Sequence, residues 1–300
     1  MQNISNWLKA SRLPSQGYIF FPLILGQSMA YYFEENFSGS LFLLTHLYGL
    51  FIQLFIVYAN DYADLETDRE NETYTLFSGG SRVLVEGLLS KRSLKKGILV
   101  SIAGTLLVGM LLAFLYQRPL SIYLVLLSLF LLWAYSYPPI KLSYRGGGEL
   151  LQALGVAILL PLFAFYVQAG NFQSFPWMIL IILFPIHLGC AFSTALPDEP
   201  SDRMHKKRTF AVIKGPDVVK KTIVLLNSIS FLLLLWFPIV SLHWSLKVIG
   251  AGFFLTFSMM IFYPSSKPGS KNLFYFVSLN ILNVMVFVGL LSTSYFFSSL

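Results

Sequence analysis

Five aspartates stand out for their spacing. Asp61, Asp64 and Asp68, in the stretch NDYADLETD, sit at i, i+3 and i+7. That spacing places three carboxylates on one face of a helix. Asp198 and Asp202, in DEPSD, repeat the theme at i, i+4. Pro197 and Pro200 flank this second pair. Proline is tolerated in a first helical turn and not in a helix interior. A break near 197 and a new turn from about 199 are therefore expected, with Asp198 and Asp202 turned into one cavity. Clustered carboxylates repel unless cations compensate them. Hard oxygen donors of this kind suit Mg²⁺, which takes one or two carboxylates and fills its shell with water and phosphate oxygens.

The charge balance extends the reading. Five aspartates, one diphosphate and two Mg²⁺ ions leave about four negative charges, which basic side chains must offset. Arg82, Lys141, Arg145, Lys207 and Arg208 are available for this. The plainer reading, solvated helix caps, fits poorly. The first three aspartates follow an apolar run, so they sit at a helix C-terminus, where the dipole disfavours anions. It does fit Glu66, Glu70, Glu72 and Glu199. Lys91 to Lys96 reads as a lipid-headgroup patch. The four histidines show no ligand spacing, and Gly146-Gly147-Gly148 lacks the Lys-Ser/Thr of a phosphate loop.

These residues must be positioned by a very apolar chain. Of 300 residues, 56% are hydrophobic and 12% charged, against about 25% charged in soluble domains. An integral membrane protein follows. One cysteine, Cys190, excludes an intramolecular disulfide and a cysteine-based metal site. Nine apolar runs are long enough to span a bilayer, at roughly 17–33, 40–59, 97–116, 120–136, 149–168, 176–196, 222–240, 246–263 and 273–295. They are continuous rather than alternating, which predicts helices and not a barrel.

Nineteen of the 21 basic residues fall in connections on one side of these runs; only Arg118 and Lys247 fall on the other. That bias predicts a cytoplasmic N-terminus and a C-terminus on the far side. Twelve of the 14 acidic residues also fall on the basic side, which the positive-inside rule does not require. The long connections, about 60–96 and 197–221, lie on that face, four helices apart. A weak four-helix repeat is suggested. An ion-coupled transporter is the competing class. Its carboxylates are expected in mid-span, whereas these sit at span ends.

Taken together, these motifs resemble the UbiA superfamily of intramembrane prenyltransferases. NDYADLETD is similar to its NDxxDxxxD signature and DEPSD to its second DxxxD motif. Tyr137 to Lys141, in YPPIK, resembles its YxxxK element, and KRTFAVIKG, Lys207 to Gly215, follows the second motif as in the family. The resemblance covers nearly the whole chain and implies a single domain, residues 1–300, that is all-α, with nine transmembrane helices around a central cavity open to the cytoplasmic face. It implies two Mg²⁺ ions held by Asp61, Asp64, Asp68, Asp198 and Asp202, which bind an isoprenyl diphosphate. The allylic C–O bond breaks, and an aromatic acceptor attacks the carbocation. Catalytic roles would fall to Asp61, Asp64, Asp198, Lys141 and Tyr137. Substrate binding would fall to Asn60, Arg82, Lys141, Arg145, Lys207, Arg208 and Arg12, the last near the acceptor. SGGSRVLVEGLLS and KRTFAVIKG are nearest the 1,4-dihydroxy-2-naphthoate branch of menaquinone biosynthesis; 4-hydroxybenzoate is the alternative acceptor. The partners implied are the lipid bilayer and the two substrates, without nucleic acid, in a bacterial inner membrane.

Overall fold

The computed structural model describes residues 4–237, 239–264 and 267–298. Residue 238, inside the seventh predicted run, and the far-side C-terminal residues 299–300 lie outside them. Among the described residues the fold is helical, apart from one isolated bridge between Thr75 and Ser78. The first half contains α1 (Ile4–Ala10), α2 (Leu13–Glu34), α3 (Gly39–Ala63), α4 (Leu65–Arg69), α5 (Lys91–Phe114), α6 (Leu120–Ser136) and α7 (Leu142–Arg145). Then come α8 (Gly148–Leu154), a π turn (Gly155–Leu159) and α9 (Leu160–Ala169), which together form one long rod. The remainder is α10 (Met178–Ala195), α11 (Glu199–Met204), α12 (Phe210–Lys214), α13 (Pro216–Trp236), α14 (Leu242–Ile261) and α15 (Lys271–Ser298).

Each of the nine predicted runs coincides with one helix or with the α8–α9 rod, but four run past the helix ends: 97–116 beyond Phe114, 176–196 beyond both ends of Met178–Ala195, 222–240 beyond Trp236 and 246–263 beyond Ile261. Seven helices among the described residues are long and apolar enough to cross a membrane. The α2 helix is outside that set, and α6 has only 17 residues. The ends follow local chemistry. Ser38 and Ser90 cap α3 and α5 by accepting from Leu41 N and Ser93 N, satisfying donors that a helix start leaves free. Proline stands in the first turn of α2, α11 and α13, where its missing N–H costs nothing.

Packing divides into two buried clusters. One gathers α3, α5, α6 and α9 around Tyr48, Val108 and Phe163. The other gathers α10, α13 and α15 around Ile223, Phe231 and Phe287. Helices in lipid associate through close packing and internal hydrogen bonds rather than through expulsion of water. Both devices are present. Gly26 of α2 lies so close to α9 that an added methyl would collide with the Pro161 carbonyl. Asn227 of α13 donates to Asn280 Oδ1 of α15 at 2.9 Å, and Asn280 donates to Ser193 Oγ of α10 at 3.0 Å. Each such bond contributes about 0.6 kcal/mol in a bilayer. The cavity lies between the two clusters, walled by α2, α3, α6, α8, α10 and α15.

Candidate functional site

The first aspartate motif is not one continuous helix. The α3 helix stops at Ala63, Asp64 caps it by donating its N–H to Asn60 O at 2.9 Å, and α4 restarts at Leu65. The chain then doubles back. The Gly79-Gly80 pair, both at φ +71°, carries the backbone over the carboxylates. A methyl at Gly80 would collide with the Asp68 carboxylate. That crowding and the left-handed φ both require glycine. The second motif folds as expected: α10 ends at Ala195, α11 begins at Glu199 with Pro200 in its first turn, and Asp198 and Asp202 both line the cavity.

The 71–82 loop joins the two motifs. Asn71 Nδ2 donates to Asp198 Oδ1 at 2.7 Å, and Gly79 N donates to Asp198 Oδ2 at 3.1 Å. Further along, Ser81 N donates to Asp61 Oδ1 at 3.1 Å, and Ser81 Oγ also bonds Asp61. Lys207 adds a second tie. It is 8% exposed, and its Nζ lies 3.1 Å from Asp64 Oδ2 and 3.3 Å from Asp202 Oδ1. Tyr144 donates its O–H to Asp64 Oδ1 at 2.8 Å.

Most expected residues converge here. Asn60, Asp64, Asp68, Asp198, Asp202, Lys207 and Arg12 line one cavity of about 290 Å³. Asp61 is buried behind it, ion-paired to Arg12. Arg12, expected near the acceptor, is therefore held by the first motif. Four basic residues expected at a diphosphate do not line the cavity. Arg82, at φ +65°, donates to the Asp68 carbonyl at 2.6 Å and stacks on Tyr74, so it braces the loop. Lys141 Nζ sits 3.4 Å from the Tyr144 ring centroid. Arg145 and Arg208 are exposed. Tyr137 also points elsewhere, donating to Ala59 O at 3.3 Å.

Asn71, Ser81, Tyr144 and the two loop glycines were not among the expected site residues. Asn71 had a signal: it extends the spacing 61, 64, 68 by three, onto the same helical face. Tyr144 is three residues beyond Lys141. Ser81 and the glycines stand beside Arg82, the residue that charge alone singles out.

The electrostatics show an anionic site short of cations. Five lining carboxylates, including Glu149, face Arg12 and Lys207. Burial, then the neighbouring Asp64 charge, pushes Asp68 up to about 8. Burial pushes Asp202 up to about 7 despite Lys207, and Asp198 is raised by burial as well. Burial works to lower Lys207, but Asp64 and Asp202 outweigh it and raise the ammonium pKa. Carboxylates raised in this way are calling for positive charge. Among the described residues no three acidic, imidazole or thiol groups converge on one point. An ion here would take one or two carboxylates and complete its shell from a substrate, the habit of Mg²⁺. The donor set fits that cation.

Comparison with known proteins bears on both fold and family. The UbiA prenyltransferase family profile matches residues 19–284. A curated relative, the 2-carboxy-1,4-naphthoquinone phytyltransferase of Synechocystis sp., is 28% identical over 176 residues. The match covers 58% of this chain and 53% of the relative, so the chain matches about half of that relative's length. A UbiA homologue from Archaeoglobus fulgidus, solved with DMAPP and Mg²⁺, superposes with a TM-score of 0.68 at 19% identity, covering 95% of this chain and 99% of that one. An apo UbiA homologue from Aeropyrum pernix K1 gives a TM-score of 0.66 at 15% identity, over 88% of this chain and 94% of that one.

Proposed function

The chain belongs to the UbiA prenyltransferase family, and we propose that it transfers a prenyl group from an isoprenyl diphosphate to an aromatic acceptor in a Mg²⁺-dependent reaction. The observation that carries this reading is one cavity with two ends of opposite character. Its mouth holds Asp64, Asp68, Asp198, Asp202 and Lys207, and its depth is walled by apolar residues such as Ile52, Ile56 and Leu159. A diphosphate headgroup on a long hydrocarbon has that division of polarity. Solved neighbours carry DMAPP or GPP with Mg²⁺, which supports the donor class and the metal.

In this reading Asp64 and Asp68 from the first half, and Asp198 and Asp202 from the second, hold two Mg²⁺ ions. Asp61, ion-paired to Arg12 in this structure, would join them if Arg12 turned to the phosphate. When bound, the ions neutralise diphosphate and stabilise the charge that develops on the leaving group. The chain supplies the rest. Lys207 and Arg12 bring positive charge to the phosphate oxygens. Lys141 and Lys207 both approach the Tyr144 ring, at 3.4 and 4.9 Å from its centroid, so Lys141 adds positive charge from outside the cavity wall, and Tyr137, bonded to Ala59 O, would have to turn to meet the substrate. Asn71 and Gly79 fix the orientation of Asp198. The apolar walls hold the hydrocarbon and keep water from the allylic cation until the acceptor attacks. The proton lost by the acceptor ring passes to the carboxylate-lined mouth.

The acceptor we propose is 1,4-dihydroxy-2-naphthoate in menaquinone biosynthesis, supported by the naphthoquinone named for the curated relative. The topology we propose is a single nine-span domain, 1–300. Its mouth and N-terminus are cytoplasmic, in a bacterial inner membrane. The test is purified protein in detergent or lipid, given Mg²⁺, labelled prenyl diphosphates and a panel of aromatic acceptors, with products read by mass spectrometry. Prenylated naphthoate, lost on EDTA treatment, is expected. Transfer to 4-hydroxybenzoate alone would overturn the acceptor, and no transfer to any acceptor would overturn the reaction class.

A further inference from the structure

The apolar part of the cavity has a floor. On α3 the lining residues run from Asn60 down through Ile56 and Ile52 and stop at Tyr48. On α6 they stop at Ser128, and on the α8–α9 rod, which starts at Gly148, they stop at Leu160. Three helices thus end the cavity at one level. At that level Tyr48 is fully buried, its hydroxyl lies 2.5 Å from Ser128 Oγ, and its ring stacks on Phe163 at 4.0 Å. The ring is held at both its edge and its face, so it cannot swing aside without breaking both contacts. Side chains held this firmly are costly to displace in a close-packed interior.

From these observations we infer that Tyr48, pinned by Ser128 and backed by Phe163, sets the maximum length of the isoprenoid donor. The inference rests on the proposed reaction and adds to it a length limit. A helix rises about 1.5 Å per residue, so Tyr48 lies about 18 Å below Asn60. The rod gives the same depth, since Gly148 to Leu160 is also twelve steps. About 18 Å, at 1.5 Å of helix rise per residue, accommodates an extended tail of between three and four isoprene units. Donors of up to about four units fit above the floor; longer ones must bend or leave their tails outside. Each group that cannot enter loses its burial in the shaft, and pockets discriminate hydrocarbon length by about tenfold or more per misfitting step.

The test compares donors of two, three, four, six and eight isoprene units with Mg²⁺ and one acceptor, scoring kcat/KM for each. The wild type is expected to rise to about four units and fall about tenfold or more beyond. Tyr48→Ala opens the floor and moves the fall to longer donors. Ile52→Trp raises the floor by one turn and moves it to shorter ones, which keeps the test decisive where Tyr48→Ala does not fold. A wild type indifferent to length overturns the inference, because the tail then leaves by another route, as does an unmoved limit in the folded variants. Turnover of any donor shows that the reaction itself holds, so these failures are distinct from failure of the proposed function. No turnover of any donor overturns both.

Discussion

Removing the Lys207 charge gives the sharpest probe of the site. Lys207→Met keeps the volume and deletes the cation that stands 3.1 Å from Asp64 and 3.3 Å from Asp202. At an effective dielectric near 20, each contact at about 4 Å represents ~4 kcal/mol of attraction before desolvation is counted. Breaking a buried pair by removing one partner costs about 3–5 kcal/mol, because the remaining charges stay buried. The thermal midpoint in detergent, followed by tryptophan fluorescence, is expected to fall by about 5–8 °C. The companion change Asp64→Asn removes one stranded anion. The double variant is therefore expected to be more stable than the sum of the singles by at least about 1 kcal/mol. Additive effects within about 0.5 kcal/mol would show that Lys207 and Asp64 do not interact in solution. A smaller coupling in saturating Mg²⁺ is also expected, since added cations take over part of the compensation.

Three further outcomes follow from the geometry. Asn71→Leu removes a donor to the Asp198 carboxylate, a bond to a charged group worth about 1.5–3 kcal/mol; kcat/KM for the donor is expected to fall about 10- to 100-fold. An unaltered value would place Asp198 outside the reaction. Gly80→Ala forces a side chain into a left-handed backbone against Asp68 and is expected to cost about 1–3 kcal/mol, visible as a lower thermal midpoint and lost turnover together. Arg145→Ala and Arg208→Ala change exposed side chains away from the cavity, and KM for the donor diphosphate is expected to stay within about twofold; a rise in either would return that arginine to the site.

The helices were legible in the sequence because lipid allows few alternatives: an apolar run of sufficient length has to satisfy its own backbone. The second motif was legible too, since Pro200 admits only a first helical turn and Asp198 and Asp202 follow from it. Charge was the poorer guide. Arg82, Lys141, Arg145 and Arg208 have the right sign and stand near the motifs in sequence, yet backbone conformation and aromatic rings direct Arg82 and Lys141 elsewhere, and Arg145 and Arg208 lie exposed. Sign and proximity along the chain do not fix where a long side chain points. Residues that hold the carboxylates in place were harder to find. Asn71, Ser81 and Tyr144 are neutral, and their importance depends on a tertiary fold that brings them to carboxylates 127, 20 and 80 positions away in the chain. Only Asn71 carried a periodic hint. The cavity floor was likewise out of reach, because it depends on Tyr48, Ser128 and Phe163 meeting from three separate helices.

The loop from Asn71 to Ser81 has a consequence for how the protein matures. Its anchors belong to helices made early and late in synthesis, Asp61 near the start and Asp198 some 137 residues later. While the second half is still being made, Asn71 and Gly79 lack the carboxylate they hold in the finished fold. The headgroup end therefore cannot be completed until Asp198 has been made, by which point α2 to α10 precede it in the chain and α13, α14 and α15 are still to follow. A half-inserted chain lacks a finished polar mouth and is poorly equipped to capture a charged lipid precursor. Limited proteolysis can test this order: residues 71–82 are expected to be cleaved readily in a fragment ending near 172 and to resist cleavage in the full chain. Equal protection in both would show that the loop folds without its late anchor.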